Sequence, residues 1–173
     1  GSDALSRLLN WQDRSTCILF GDGAGAVVLR ATENGSGVLS TKLGTDGSYV
    51  KTLYVPAGGS LKPATADTVR RNEHTITMNG KEVFKIAVRS MEEISRQALA
   101  EAGVEIREVS LVIPHQANRR IIVALAERLG VPMEKVMVNL EKYGNTSAAS
   151  IPVALDEARR QGRIKPGDIV LLN

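Results

Sequence analysis

The chain has 173 residues, 43% hydrophobic and 24% charged, which is ordinary globular composition and enough length for one sizeable core. Lys and Arg total 22 against 19 Asp and Glu, so the net charge is only +3, and aromatic residues make up 3%; the strong basic field and stacking rings of a nucleic-acid binder are missing. A single cysteine excludes an internal disulfide, no apolar run nears the about 18 residues of a membrane helix, and the N-terminus lacks signal-peptide regions, so a cytoplasmic protein is expected.

In chain order, residues 16–30 (Thr16-Cys17-Ile18-Leu19-Phe20 through Val27-Val28-Leu29-Arg30) predict two apolar strands around a glycine-rich passage, and Val38 to Leu43 predicts a third. Residues 44–75 are rich in Gly, Pro, Thr and Asp and read as loop with short extended pieces. From Lys81 to Ala102 the residues Val83, Phe84, Ala87, Met91, Ile94 and Ala98 form one helical stripe, punctuated by Asn79-Gly80 before it and Gly103 after it. A strand follows at Leu111-Val112-Ile113. A helix over Arg119 to Leu129 buries Ile121, Ile122, Leu125 and Leu129 and ends at Gly130. Val136 to Val138 reads as strand. A third helix carries Pro152 in its first turn and stops at Gly162, and Ile169 to Leu172 is a final strand. Short apolar strands alternating with helices predict an α/β layered fold. A chain that opens without Met and closes on a strand reads as a fragment.

Two strand ends carry polar residues suited to chemistry. Pro114-His115-Gln116-Ala117-Asn118 lies at the carboxyl end of a strand, where α/β sheets place ligand-contacting groups. His115 could work near neutral pH, or it could simply satisfy backbone or a helix end. Gly144-Asn145-Thr146-Ser147-Ala148-Ala149-Ser150 opens the next helix, and Asn145 is either a neutral amide donor or part of a helix cap. Together a His and an Asn at successive strand ends suit the binding of an oxyanion. Cys17, inside a predicted apolar strand, reads as a buried structural thiol rather than a nucleophile. Gly21-Asp22-Gly23-Ala24-Gly25-Ala26 has the wrong spacing for a dinucleotide site and reads as close backbone packing. His74 reads as surface, and no cluster has metal-ligand spacing. Arg159, Arg160, Arg163 and Lys165 read as solvated, whereas Lys85, Arg119, Arg120 and Arg128 flank the paired strand ends.

At these motifs the chain resembles the β-ketoacyl-acyl-carrier-protein synthase III family. The stretches from Leu19 to Ala26, Val112 to Asn118, Tyr143 to Ser150 and Arg163 to Asp168 carry the likeness in the family's order. The resemblance implies a thiolase-like layered α-β-α fold, incomplete. Residues 1–43 would close its first half, 44–79 would connect, and 80–173 would form the half that carries His and Asn. It implies decarboxylative condensation of acyl-coenzyme A, acetyl-coenzyme A in the first instance, with malonyl-acyl-carrier protein to initiate fatty-acid synthesis. His115 and Asn145 would be the catalytic pair, donating hydrogen bonds to the enolate. Such a donor is worth about 3 kcal/mol. Arg14, Gly80, Phe84 and Asn118 would bind coenzyme A, and Lys85, Arg120 and Arg128 would dock the carrier protein. No cofactor, metal, nucleic acid or membrane is implied, and the whole protein would be a homodimer. The family's nucleophilic Cys would lie upstream of Gly1, so this chain alone is expected not to condense substrates. A non-catalytic coenzyme A or carrier-protein binding module, or a polyketide starter synthase, would share the same surface.

Overall fold

A computed structural model describes residues 1–33 and 36–173; positions 34 and 35, inside the segment expected to close the first half, lie outside the described residues. Its regular elements in chain order are β1 (Ser2–Ala4), β2 (Asp22–Ala24), β3 (Leu53–Tyr54), α1 (Ala66–Arg70), β4 (Thr77–Met78), α2 (Gly80–Ala102), β5 (Val109–Ile113), α3 (Arg119–Leu129), α4 (Leu140–Tyr143), α5 (Ser150–Arg160) and β6 (Ile169–Leu172).

The core is built around β5. It pairs in parallel with β6, Leu111 opposite Val170 and Ile113 opposite Leu172. On its other side Val112 forms an isolated parallel bridge to Val136, and Met137 N–H donates to the Val112 carbonyl at 2.8 Å. Strand geometry alternates faces, so Val109 should side with Leu111 and Ile113. A register irregularity between Val109 and Leu111 turns it over instead. Val109 and Val112 therefore meet Leu99 of α2 and Ile122, Leu125 and Leu129 of α3, while Leu111 and Ile113 meet Met137 and the fully buried Ala154 and Ala158 of α5. Alanines at i and i+4 let α5 lie close to the strand. The result is helix, sheet, helix.

α2 starts where Asn79 accepts the Glu82 N–H, and α3 starts where the Asn118 side chain accepts the Arg120 N–H at 2.8 Å. Both end at left-handed glycines, Gly103 and Gly130 (φ 64° and 71°). The buried line of α2 is Val88, Ser95 and Leu99, offset from the predicted apolar stripe. Two contacts cause the offset. Val83 and Phe84 face a cleft, and Ser95 is buried because the Asn173 side-chain amide donates to its hydroxyl and, at 2.7 Å, to the Met91 carbonyl.

The N-terminal third departs from its predicted strands. Residues 14–19 are turns, because Asp13 gathers the Ser15 N–H (2.9 Å) and the Ser15 and Thr16 hydroxyls (2.6 and 2.8 Å) on its carboxylate, and the Thr16 and Cys17 N–H groups on its carbonyl. Only Asp22–Ala24 of the glycine passage is strand, paired with β1. Residues 27–30 and 38–43 join no β-ladder among the described residues, their contacts including the Ser40 hydroxyl on the Ala98 carbonyl and Lys42 with Glu101, and Val28 and Leu43 are 95% and 93% exposed. A strand without a ladder partner does not form.

Candidate active-site cleft

His115 stands at the tip of β5. Its N–H donates to the Asn173 carbonyl beyond β6, and its carbonyl accepts the Ala117 N–H at 3.0 Å, so the backbone is fixed on both sides. The imidazole is half-buried, with Nδ1 2.6 Å from the hydroxyl of Ser150. Burial removes water from the charged form and holds its pKa below that of an ordinary histidine.

Gln116, buried and unremarked in the sequence, straps this tip to its neighbour. Its amide donates to the Pro114 and Met137 carbonyls at 2.7 and 3.1 Å, and its side-chain oxygen accepts the Asn139 N–H at 2.9 Å. Only its position beside His115 hinted at a role.

Asn145 hangs from a shared rung. Its N–H donates to the Leu19 carbonyl at 2.8 Å, and its carbonyl accepts the Gly21 N–H at 2.9 Å. Backbone can come this close only because residue 21 lacks a side chain: a Cβ there would overlap the Tyr143 carbonyl oxygen. Gly25 meets α5 in the same way, its virtual Cβ 2.7 Å from Pro152 Cγ. Close backbone packing by the glycine passage is thus what the structure contains. Ser147, at a left-handed φ of 51°, aims its N–H back onto Asn145 Oδ1 at 3.0 Å. The carboxamide therefore has its acceptor end occupied, while Nδ2 has no protein partner among the described residues.

A cleft of about 950 Å³ opens beside it. Asn145, Asn118, Gly80, Phe84, Lys85 and Arg120 all line it. The Arg120 guanidinium lies over the Phe84 ring, 5.6 Å from its centroid, a contact worth about 0.5–1 kcal/mol where exposed. Lys85 sits 3.8 Å from Glu82. Arg14 is exposed in the turn next to Ser15, another lining residue. His115 does not line the cleft; it joins the site through Ser150, on the same segment as Asn145.

Arg128 is elsewhere. It lies two turns along α3 from Arg120, about 12 Å away at helical rise, with its guanidinium 2.8 Å from Glu92. Arg128 and then Arg96 hold the Glu92 carboxyl below the usual carboxylate range. Arg163, expected to be solvated, instead donates to the Glu134 and Val136 carbonyls at 2.7 and 3.3 Å. Cys17 is half-buried in the Asp13 turn rather than in a strand. His74 is half-buried too, and its Nδ1 is out of solvent. Among the described residues no group of three or more His, Cys, Asp or Glu could hold a metal ion.

The layers around β5 are those of a thiolase-like α-β-α fold, the architecture of the condensing enzymes. Residues 99–173 match the family model "3-Oxoacyl-[acyl-carrier-protein (ACP)] synthase III C terminal", and residues 1–47 match the model "3-Oxoacyl-[acyl-carrier-protein (ACP)] synthase III". A β-ketoacyl-[acyl-carrier-protein] synthase III of Desulfitobacterium hafniense strain Y51 is 56% identical over 172 residues, covering 99% of this chain and 52% of the relative. The crystal structure of the synthase III of Aquifex aeolicus VF5 superposes with a TM-score of 0.87 at 52% identity, over 99% of this chain and 51% of that one. That of Thermus thermophilus gives 0.83 at 43%, over 99% and 52%. The chain spans about half the length of the relatives it matches. It belongs to the β-ketoacyl-acyl-carrier-protein synthase III family.

Proposed function

We propose that this chain is the C-terminal portion of a synthase that condenses acyl-coenzyme A, acetyl-coenzyme A in the first instance, with malonyl-acyl-carrier protein at the start of fatty-acid synthesis. The observation that carries the reading is the Asn145 carboxamide: Oδ1 is tied back to Ser147, and Nδ2 is left as a donor on the cleft. Desolvation favours the neutral form of His115, which would supply the second donor from beside the cleft.

When the malonyl thioester loses carbon dioxide, the electron pair of the broken C–C bond becomes an enolate. Two fixed donors stabilise the negative oxygen without reorganising. The enolate carbon then attacks the acyl thioester on a cysteine, and the thiolate leaves. That cysteine would be supplied outside this chain, so the chain alone would not turn over. The pantetheine arm would run along Gly80, Phe84 and Asn118. The adenine end would lie by Arg14. Lys85 and Arg120 would receive an acidic carrier protein, and Arg128 would extend that patch only after release from Glu92. The full-length protein would be a cytoplasmic homodimer that needs no cofactor beyond its substrates.

Decarboxylation of labelled malonyl-carrier protein by the full-length protein tests the reading. His115→Ala or Asn145→Ala should slow it by about 10²–10³-fold. Wild-type rates in both variants would refute the assignment. Failure of the full-length protein to take up an acyl group from acyl-coenzyme A would mark a binding module instead.

A further inference from the structure

We infer that Ser150 is a positioning residue that fixes the tautomer of His115, holding the ring proton on Nε2 and so making His115 a hydrogen-bond donor. The inference deepens the synthase reading and rests on it for its functional meaning.

A neutral imidazole carries one N–H, on either nitrogen, and the partner of one nitrogen decides the other. His115 Nδ1 lies 2.6 Å from Ser150 Oγ, and the hydroxyl is buried, its residue 3% exposed. Either group could donate. The surroundings of the hydroxyl decide. Ser150 Oγ already accepts the Gln116 N–H at 3.3 Å. Among the described residues its own hydrogen has no acceptor other than His115 Nδ1. In particular it makes no bond to the carbonyls of residues 146 and 147, one turn back, the common fate of a helical serine. If Nδ1 carried the proton, two hydrogens would face each other across 2.6 Å, or the hydroxyl would turn away with nothing to receive it. A buried donor left unmade is disfavoured. The consistent arrangement runs Gln116 N–H to Ser150 Oγ, and Ser150 O–H to His115 Nδ1. Nδ1 is then the acceptor, and the proton sits on Nε2.

The placement also fixes the ring from a second element. Ser150 opens α5, whose Ala154 and Ala158 are packed on Leu111 and Ile113 of the strand that carries His115. Oγ and the ring are therefore held by two elements of one core cluster. Outer partners of this kind, which orient a histidine through its second nitrogen, are worth about 10- to 100-fold in activity where a metal takes the first. Here the first nitrogen serves a developing oxyanion.

The test is nitrogen NMR on the ¹⁵N-histidine-labelled full-length protein, with the His115 signals identified by their loss in His115→Gln. Wild type should show a protonated Nε2 and an unprotonated Nδ1. Ser150→Ala should move the populations toward the Nδ1–H form and lower kcat for malonyl-carrier protein decarboxylation about tenfold or more, with KM held within about twofold. Ser150→Cys, which keeps a weak donor, should restore part of both. A wild-type proton on Nδ1 overturns the inference even if no variant folds. So does an unchanged tautomer in a folded Ser150→Ala protein, whatever its rate. A tautomer shift in Ser150→Ala, combined with normal decarboxylation in His115→Ala, upholds the role of Ser150 and sinks the synthase reading instead.

Discussion

The two donors differ in what pH can do to them. The Asn145 amide does not titrate, whereas His115, in the role proposed for it, would work only while neutral. Its surroundings desolvate the cation and lower its pKa. Decarboxylation by the full-length protein should therefore keep its plateau below about pH 6.5, where an ordinary histidine would have charged. An acid limb that falls above that value would contradict the burial. The same group bears on stability with a definite sign. The unfolded chain takes up the proton first, so stability is full above the ordinary histidine range. It declines as pH falls through that range and levels off below the folded-state pKa. At this scale the sequence disclosed His115 because it follows a short apolar strand; Asn145 was read the same way, but residues 136–138 make only an isolated bridge at Val136, and the short helix α4 stands between them and Asn145. The sequence could not disclose Gln116 or Ser150. A glutamine beside a histidine and a serine in a helix's first turn acquire meaning only when a second strand and a second helix arrive against them.

Among the elements, α2 and α3 were legible because hydrophobic spacing, asparagine caps and glycine stops all agree within them, and α5, β5 and β6 were legible from their apolar spacing and bounding turns. The segments at 16–30 and 38–43 misled for an equally physical reason. Apolar β-branched runs state a preference, but a strand exists only in a ladder, and Asp13 offers residues 15–17 a local alternative. The glycine passage was read correctly as close packing, and it can be tested as an element. Gly21→Ala should destabilise the protein by about 1–3 kcal/mol, the usual cost of forcing extra atoms into packed backbone, and should reduce decarboxylation with it. Gly47→Ala, where an added Cβ meets nothing within 4 Å and φ is not left-handed, is the control. It should change stability by no more than about 0.5 kcal/mol. Thermal melts of the two variants side by side check the contrast, and equal midpoints would mean that the seam yields.

Taken whole, the molecule has a dense C-terminal body and a thinly covered N-terminal third. Val28, Leu43 and Leu61 are exposed almost completely, alongside Trp11, Ile18, Leu29 and Val38. Apolar exposure on this scale is unusual for a chain that stands alone. The 173-residue chain by itself should bind a hydrophobic dye and sediment as concentration-dependent associates. A monodisperse, dye-silent monomer would show that these side chains find cover within the chain. The layered architecture was legible from alternating strands and helices. The sparse cover of residues 27–30 and 38–43 was not, because what packs on a residue leaves no mark on its own sequence.

The rung between residues 19–21 and Asn145 gives this division a chemical meaning. The Asn145 amide is spelled out in one part of the polypeptide and its backbone is held by another more than a hundred residues earlier, through two backbone bonds with no side chain between them. The proposed reacting centre would thus be owned by neither part. It would come into being where they are sewn together, and a slip of one stitch there would disarm it while every helix stayed intact.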